Sequence, residues 1–202
     1  KQKLLYLFAL LALTFSYPTT FVEAQSSDKP NKQIKYKKAR ALQSKTAKKM
    51  AKVYEALEKV DEIGEPAPDM ETALSILTEL KGNFGDMKSY DRSVVWNALA
   101  YAYYAIAVED TSESNKKDNR TQEEKQLELK TKFAPAINAY EKVLAEPEST
   151  IPIRSGALYS LAQLSLVLGD FEKGIENLLQ WMDEVETVTA QAWGLLGQAY
   201  YQ

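Results

Sequence analysis

The side chains in this sequence that could take part in catalysis are carboxylates, because the chain contains no His and no Cys. This composition excludes imidazole general bases, thiolate nucleophiles, disulfide bonds and the usual zinc sites. The sequence also contains no glycine-rich phosphate loop and no Gly-x-Ser-x-Gly elbow. Candidate acid pairs are Glu123–Glu124 and Asp183–Glu184. Both fall in segments predicted to be helical, where adjacent side chains point in different directions. We therefore predict that the chain is not an enzyme and uses no cofactor or metal.

Recognition by tyrosine and amide side chains is the other chemistry that the sequence offers. A tyrosine presents a flat apolar ring with one hydroxyl, and Asn or Gln can bond to an extended peptide backbone. In the helical register described below, the predicted peptide-binding or protein-binding residues are Asn97, Tyr101, Tyr104, Tyr159, Gln163, Gln198 and Tyr201. The alternative for each tyrosine is packing against a neighbouring repeat. Basic residues are missing from these positions, so capture of a C-terminal carboxylate is not expected.

Positive charge is concentrated near the start of the chain. The segment Lys29–Lys52 contains ten Lys or Arg residues and no acid, whereas the chain as a whole has a net charge of −3. Such an asymmetry indicates an interaction arm for an acidic partner, lipid headgroups or another polyanion. The alternative is an amphipathic helix with a solvated face. The basic-arm residues are Lys35, Lys37, Lys38, Arg40, Lys45, Lys48, Lys49 and Lys52.

The first 24 residues have the pattern of an export signal. Two lysines precede the apolar run Leu4–Leu13, and Val22–Ala24 supplies small or compact residues at the end. This order is typical of a secretory signal peptide, and we expect cleavage after Ala24. The run is too short to cross a bilayer and Pro18 would break a longer helix, so no stable membrane insertion is expected after cleavage. Nucleic acid is not an expected partner of an exported protein.

The rest of the chain has helical periodicity. Residues 25–38 are polar and Lys-rich, which predicts a flexible basic lead. From 39 to 202 apolar residues recur at helical spacing between Gly and Pro breaks, and no segment alternates as a strand does. We predict an all-α fold of antiparallel helix pairs joined by short turns. The first helix is predicted to bury Ala47, Met50, Ala51, Tyr54 and Leu57. The second is predicted to start at an Asp69 cap and to bury Ala73, Leu74, Ile76, Leu77 and Leu80.

A charged insertion, residues 109–132, interrupts this pattern. Within it Thr121–Glu124 has the form of a capping box, so we predict that the next helix begins there. Pro135 would then lie inside that helix and either kink it or divide it in two.

Helical segments in the chain repeat one another. The first helices of successive pairs share large and small residues at spacings of three, four and seven: Trp96, Leu99, Ala100 and Tyr103; Leu158, Leu161, Ala162 and Ser165; Trp193, Leu196, Gly197 and Tyr200. The second helices share another pattern: Phe133, Ala136, Ile137 and Tyr140; Phe171, Gly174, Ile175 and Leu178. This resembles the tetratricopeptide repeat family. The resemblance implies a right-handed superhelix of stacked pairs that binds protein segments on its concave face, with the chain forming the first part of a longer array whose last repeat is truncated.

A narrower resemblance concerns the pathway. The signal peptide, the Lys-rich first helix and the segments Trp96–Tyr104, Tyr140–Ala145 and Leu195–Tyr201 resemble periplasmic repeat proteins associated with TonB systems of marine gammaproteobacteria. This implies a periplasmic accessory of a TonB-dependent transport system, with components of the TonB complex as partners. The alternatives are a general scaffold for envelope assembly or the cell wall, and the docking region of an enzyme whose catalytic domain lies beyond residue 202. The oligomeric state is left open.

Overall fold

Helices form the regular structure of the described part of the chain. The computed structural model describes residues 40–114 and 120–202, so the predicted signal peptide (1–24) and basic lead (25–38) lie outside the described residues. The helices belong to one unit, Leu42–Gln202. They are α1 (Ser44–Leu57), α2 (Met70–Gly82), α3 (Ser89–Ser114), α4 (Gln122–Ala145), α5 (Ile151–Val167), α6 (Phe171–Glu184) and α7 (Ala190–Tyr201), with a 3₁₀ turn at Phe84–Asp86. Because these residues contain no strand, the all-α prediction is confirmed.

Polar residues start several of these helices by accepting hydrogen bonds from backbone amides of the first turn. Asp69 accepts from the amide of Thr72, as predicted, and Asp170 does the same from Lys173. Thr121 and Glu124 form the predicted capping box at the start of α4. Each such bond satisfies an amide that has no partner within the helix, which fixes the residue at which the helix begins.

Consecutive helices pack against each other along the described chain. The most extensive contacts join α3 with α4 and α5 with α6, and α1 similarly packs on α2. The first helices of successive pairs, α3 and α5, also contact each other. This packing is compatible with stacked pairs, and the right-handed superhelix stays a prediction.

The buried face of α1 differs from the prediction. Met50 is buried as expected, and Thr46, Val53 and Ala56 complete the buried stripe. The predicted residues Ala47, Ala51 and Tyr54 are exposed instead. Met50 belongs both to the predicted apolar stripe and to the stripe that contains Val53. The stripe with Val53 is the one that faces α2 and the rest of the core. In α2 the prediction is closer, because Ala73, Leu77 and Leu80 are buried.

Most of the charged insertion is helical. Residues 109–114 extend α3 and residues 122–132 begin α4, so the insertion lengthens this helix pair. Leu129 is buried in the extension. Lys132 holds the two helices together by donating to the carbonyl oxygen of Asp110 at 3.1 Å. Pro135 lies inside one continuous α4, so the alternative of two separate helices is wrong.

A buried acid from α3 caps the start of α1. The side chain of Asp91 is fully buried, and its Oδ2 accepts a hydrogen bond from the backbone amide of Gln43 at 3.0 Å. The Gln43 side chain in turn accepts from the amide of Lys88 at 3.2 Å. Two helices that are distant in sequence are therefore joined through the amide end of α1, where negative charge is favoured.

Replacement of Asp91 by Ala is expected to lower the free energy of unfolding by about 2 kcal/mol, because the partly buried amide of Gln43 loses a charged acceptor. Urea unfolding followed by far-UV circular dichroism measures this change. Asp86→Ala is the matched control, since Asp86 is exposed in the 3₁₀ turn. A loss for Asp91→Ala no larger than that of the control would contradict a capping role.

Candidate protein-binding surface

The helix pairs α3–α4 and α5–α6 are closed by equivalent ion pairs. Arg92, the fourth residue of α3, binds Glu146 just after α4 with two of its nitrogens: Nε to Oε1 and Nη2 to Oε2, each at 2.8 Å. Arg154, the fourth residue of α5, donates Nη2 to Oε1 of Glu184 at 3.1 Å, and Glu184 is the last residue of α6. Arginine and carboxylate form strong, directional pairs of this kind. Each Arg–Glu pair therefore fixes the start of a first helix against the end of its second helix.

Each of these arginines also donates to a backbone oxygen that precedes its own helix. Nη1 of Arg92 lies 2.7 Å from the carbonyl oxygen of Met87, and Nη1 of Arg154 lies 3.0 Å from that of Leu144 at the end of α4. Arg154 thus contacts the ends of both α4 and α6. These Arg–Glu ion pairs were not predicted from the sequence. The sequence does place Arg and Glu at equivalent positions of the α3–α4 and α5–α6 helix pairs.

Small residues allow the helices of a pair to approach closely, as the repeat pattern predicts. Ala100, Ala136 and Ala162 are fully buried. At Gly174 an added Cβ would lie 2.5 Å from Cδ2 of Leu166 and 3.3 Å from the carbonyl oxygen of Ala162. The crossing of α5 and α6 is therefore built around a residue without a side chain.

The predicted surface residues fall into two groups. Asn97, Tyr101 and Tyr159 are half-buried, and Gln198 and Tyr201 are exposed, so all five keep surface for a partner. Tyr104 and Gln163 are buried, which leaves them little area for binding.

The position of Tyr104 in the repeat explains its burial. Its ring packs on that of Phe133 in α4, with centroids 5.8 Å apart. Leu166 of α5 occupies the same repeat position and lies against Gly174 of α6. Tyr201 is the equivalent residue of α7. In α3 and α5 this position faces the second helix of the pair, so Tyr104 belongs to the pair contact and not to a groove lined by first helices, whereas Tyr201 is 90% exposed.

Tyr159 sits where three helices meet. Its ring lies 4.9 Å from that of Trp181 of α6, centroid to centroid. Both rings pack on a buried cluster that contains Leu178 of α6 and Leu196 of α7. Trp181 is an aromatic neighbour of the surface that was not predicted from the sequence.

Burial changes the acid–base behaviour of the tyrosines on the first helices. It raises the pKa of Tyr101 and of Tyr159 above the usual tyrosine value of about 10. Both hydroxyls are consequently neutral at physiological pH and can donate a hydrogen bond as well as accept one.

The described part of the predicted basic arm lies on and just before α1. Lys45, Lys48 and Lys52 are exposed on α1, whereas Lys49 is half-buried and forms an ion pair with Glu79 of α2. Arg40 is exposed before the helix. Lys35, Lys37 and Lys38 lie outside the described residues. The three exposed lysines, at spacings of three and four, form one basic ridge along α1.

The acid pairs considered for catalysis have structural contacts. Glu124 closes the capping box of α4 and Glu184 binds Arg154. Residues 40–114 and 120–202 contain no group of three or more acidic side chains placed to hold a metal ion. In the same residues no helix has both the length and the apolar character needed to cross a membrane.

Comparison with known proteins gave no match to a protein-family model, to a curated protein or to a solved structure. The function is therefore inferred from the residues and contacts described above.

Proposed function

We propose that this protein is an exported scaffold that binds protein segments along its first helices and serves a TonB-dependent transport system. The observation that supports the scaffold role is that the same contact between two paired helices occurs twice. The α3–α4 and α5–α6 pairs share small residues at the crossing and an Arg–Glu pair at the end. Repeated pairs of this kind build extended surfaces for binding other proteins.

The side chains on the first helices favour an extended peptide as the bound segment. Asn97 and Tyr101 of α3, Tyr159 of α5 and Gln198 of α7 keep exposed area. Flat rings that are already held by packing lose little conformational freedom on binding, and amides can pair with backbone groups. The TonB assignment itself depends on the sequence resemblance.

The basic ridge of α1 supports a second contact of the scaffold. Lys45, Lys48 and Lys52 are exposed together. In the part of the chain after α1, acidic residues outnumber basic ones, so that part carries a net negative charge. A compact positive surface on an otherwise negative protein attracts an acidic protein segment and accelerates association.

An affinity pull-down of the mature protein from solubilised envelopes, quantified by mass spectrometry, tests the proposal. We expect enrichment of TonB and its inner-membrane partners. Enrichment of cell-wall or assembly proteins in their place would contradict the transport assignment while leaving the scaffold role. Absence of any specific enrichment would contradict both.

Variants assign the contact to the surfaces named above. The double variant Tyr101→Ala/Tyr159→Ala should reduce the affinity for the captured partner about tenfold or more, since truncating an anchoring tyrosine typically costs over about 1 kcal/mol. Tyr90→Ala, a half-buried tyrosine at the start of α3, is the matched control. Changing Lys45, Lys48 and Lys52 to Gln should slow association at low salt. Equal binding by all variants would exclude these surfaces as the contact.

A further inference from the structure

Positive and negative charges are separated along α1 and the loop that follows it. Residues 44–52 contain four lysines and no acid, whereas residues 53–65 contain five acids and one lysine. That one lysine, Lys59, forms an ion pair with Asp69 of the same loop at 3.5 Å. The helix therefore has a basic first half and an acidic second half.

This order of charges is the reverse of the one that stabilises an isolated helix. The amide end of a helix favours negative charge, and the carbonyl end favours positive charge. The first turn of α1 contains no acid and its last turn contains no basic residue. A second helix with the same order of charges, packed in the antiparallel direction, would place an acidic half beside each basic half.

The side of α1 that faces away from the core carries the residues for such a contact. These residues are exposed and recur at spacings of three and four, so they share one side of the helix. They are Ala47, Lys48, Ala51, Tyr54, Glu55 and Glu58, and we call them the outer face of α1. The ring of Tyr54 is 37% exposed, and the two small alanines allow another helix to approach closely.

The segment that precedes α1 complements only half of the outer face. Residues 25–40 contain six basic residues and one acid, so they are attracted to Glu55 and Glu58 but repelled by the lysines of the basic half. Helix α7 lies at the other end of the series of consecutive helix contacts that begins with α1 and α2. A second, antiparallel copy of α1 complements both halves at once.

We propose that the outer face of α1 binds a second copy of this chain, with the two α1 helices packed antiparallel about Ala51. The inference rests on the proposed second contact of the scaffold and deepens it, because the acidic segment bound by the basic ridge is the acidic half of α1 in the second copy. The same residues contribute from both copies, so the assembly closes at a dimer.

The spacing of the residues around Ala51 fits this two-fold arrangement. Lys48 is three positions before Ala51 and Glu55 is four positions after it, so Lys48 of one copy lies beside Glu55 of the other. On the opposite side of the contact, Tyr54 of one copy covers Ala47 of the other. Both contacts occur twice, once on each side of the axis. Glu58 approaches the first turn of α1 in the second copy, where negative charge is favoured.

Sedimentation equilibrium of the mature chain tests the proposal. We expect a dimer whose dissociation constant rises about tenfold or more in Lys48→Glu and in Glu55→Lys, because each change places like charges opposite each other. The double variant Lys48→Glu/Glu55→Lys should restore the dimer, since both pairs form again with their signs reversed. High salt should weaken the dimer of the unaltered chain, because these pairs are exposed.

The matched control is Lys142→Glu, which reverses an exposed lysine on α4 and should leave the dissociation constant unchanged. A chain that stays monomeric, a dimer that neither single reversal weakens, or a double variant that fails to restore the dimer would overturn the proposal. The pull-down separates this inference from the proposed function. A monomeric chain that still captures envelope proteins would contradict the dimer alone, and a dimer that captures none would contradict the proposed function alone.

Discussion

Truncation of Phe133 to Ala is expected to lower the free energy of unfolding by about 3–5 kcal/mol. Phe133 is fully buried where α3 packs on α4, and its ring contacts that of Tyr104. Removing the ring loses its transfer free energy and leaves a cavity that two long helices cannot close without moving. Since small domains are stable by only about 5–15 kcal/mol, this one change would remove a large part of the total.

Urea unfolding measured by far-UV circular dichroism and by tryptophan emission checks this value. The control is Leu127→Ala in the same helix, because Leu127 is 67% exposed and should contribute less than about 0.5 kcal/mol. If the two variants unfold at the same urea concentration, the α3–α4 contact does not stabilise the chain in the way described.

The second large effect is expected for Gly174→Leu, which should lower the free energy of unfolding by about 2–3 kcal/mol. The first atom of the new side chain would already lie within 2.7 Å of two carbon atoms of Leu166. Leu166 is half-buried and can rotate away from a single methyl group, so Gly174→Ala should cost much less. The larger side chain forces α5 and α6 apart.

Gly197→Leu provides the matched control for this substitution, with the same residue change at an open position on α7. An added Cβ there meets no atom within 4 Å, and replacing glycine inside a helix favours the helical state by about 0.5–1 kcal/mol. The two variants should therefore change stability in opposite directions. A loss of stability in both would mean that glycine is needed for some reason other than helix approach.

Periodicity and capping residues were enough to predict the helices. Asp69 and Thr121 begin helices as expected because their signals are local, within a few residues of the amides they bind. The repeat pattern likewise predicted the small residues at the crossings, including Gly174.

Other features depend on contacts between distant segments, which a local pattern does not contain. The buried side of α1 could not be chosen by spacing alone, because two stripes share Met50. The role of Asp91 was missed because its acceptor function depends on an amide 48 positions away. In the candidate surface, Tyr104 was assigned to the groove because tyrosine suits both a binding surface and a packed contact; only its contact with Phe133 distinguishes them.

The end of α4 is held by two arginines that belong to successive pairs. Arg92 binds Glu146, and Arg154 binds the carbonyl oxygen of Leu144. If α5 separates, that oxygen loses its donor at the end of a helix where negative partial charge accumulates. Opening of one helix pair therefore destabilises the folded state of the adjacent pair, which then opens more easily. We expect amide exchange in this chain to be slower in α4 and α5, which pack on a helix on each side, than in α1.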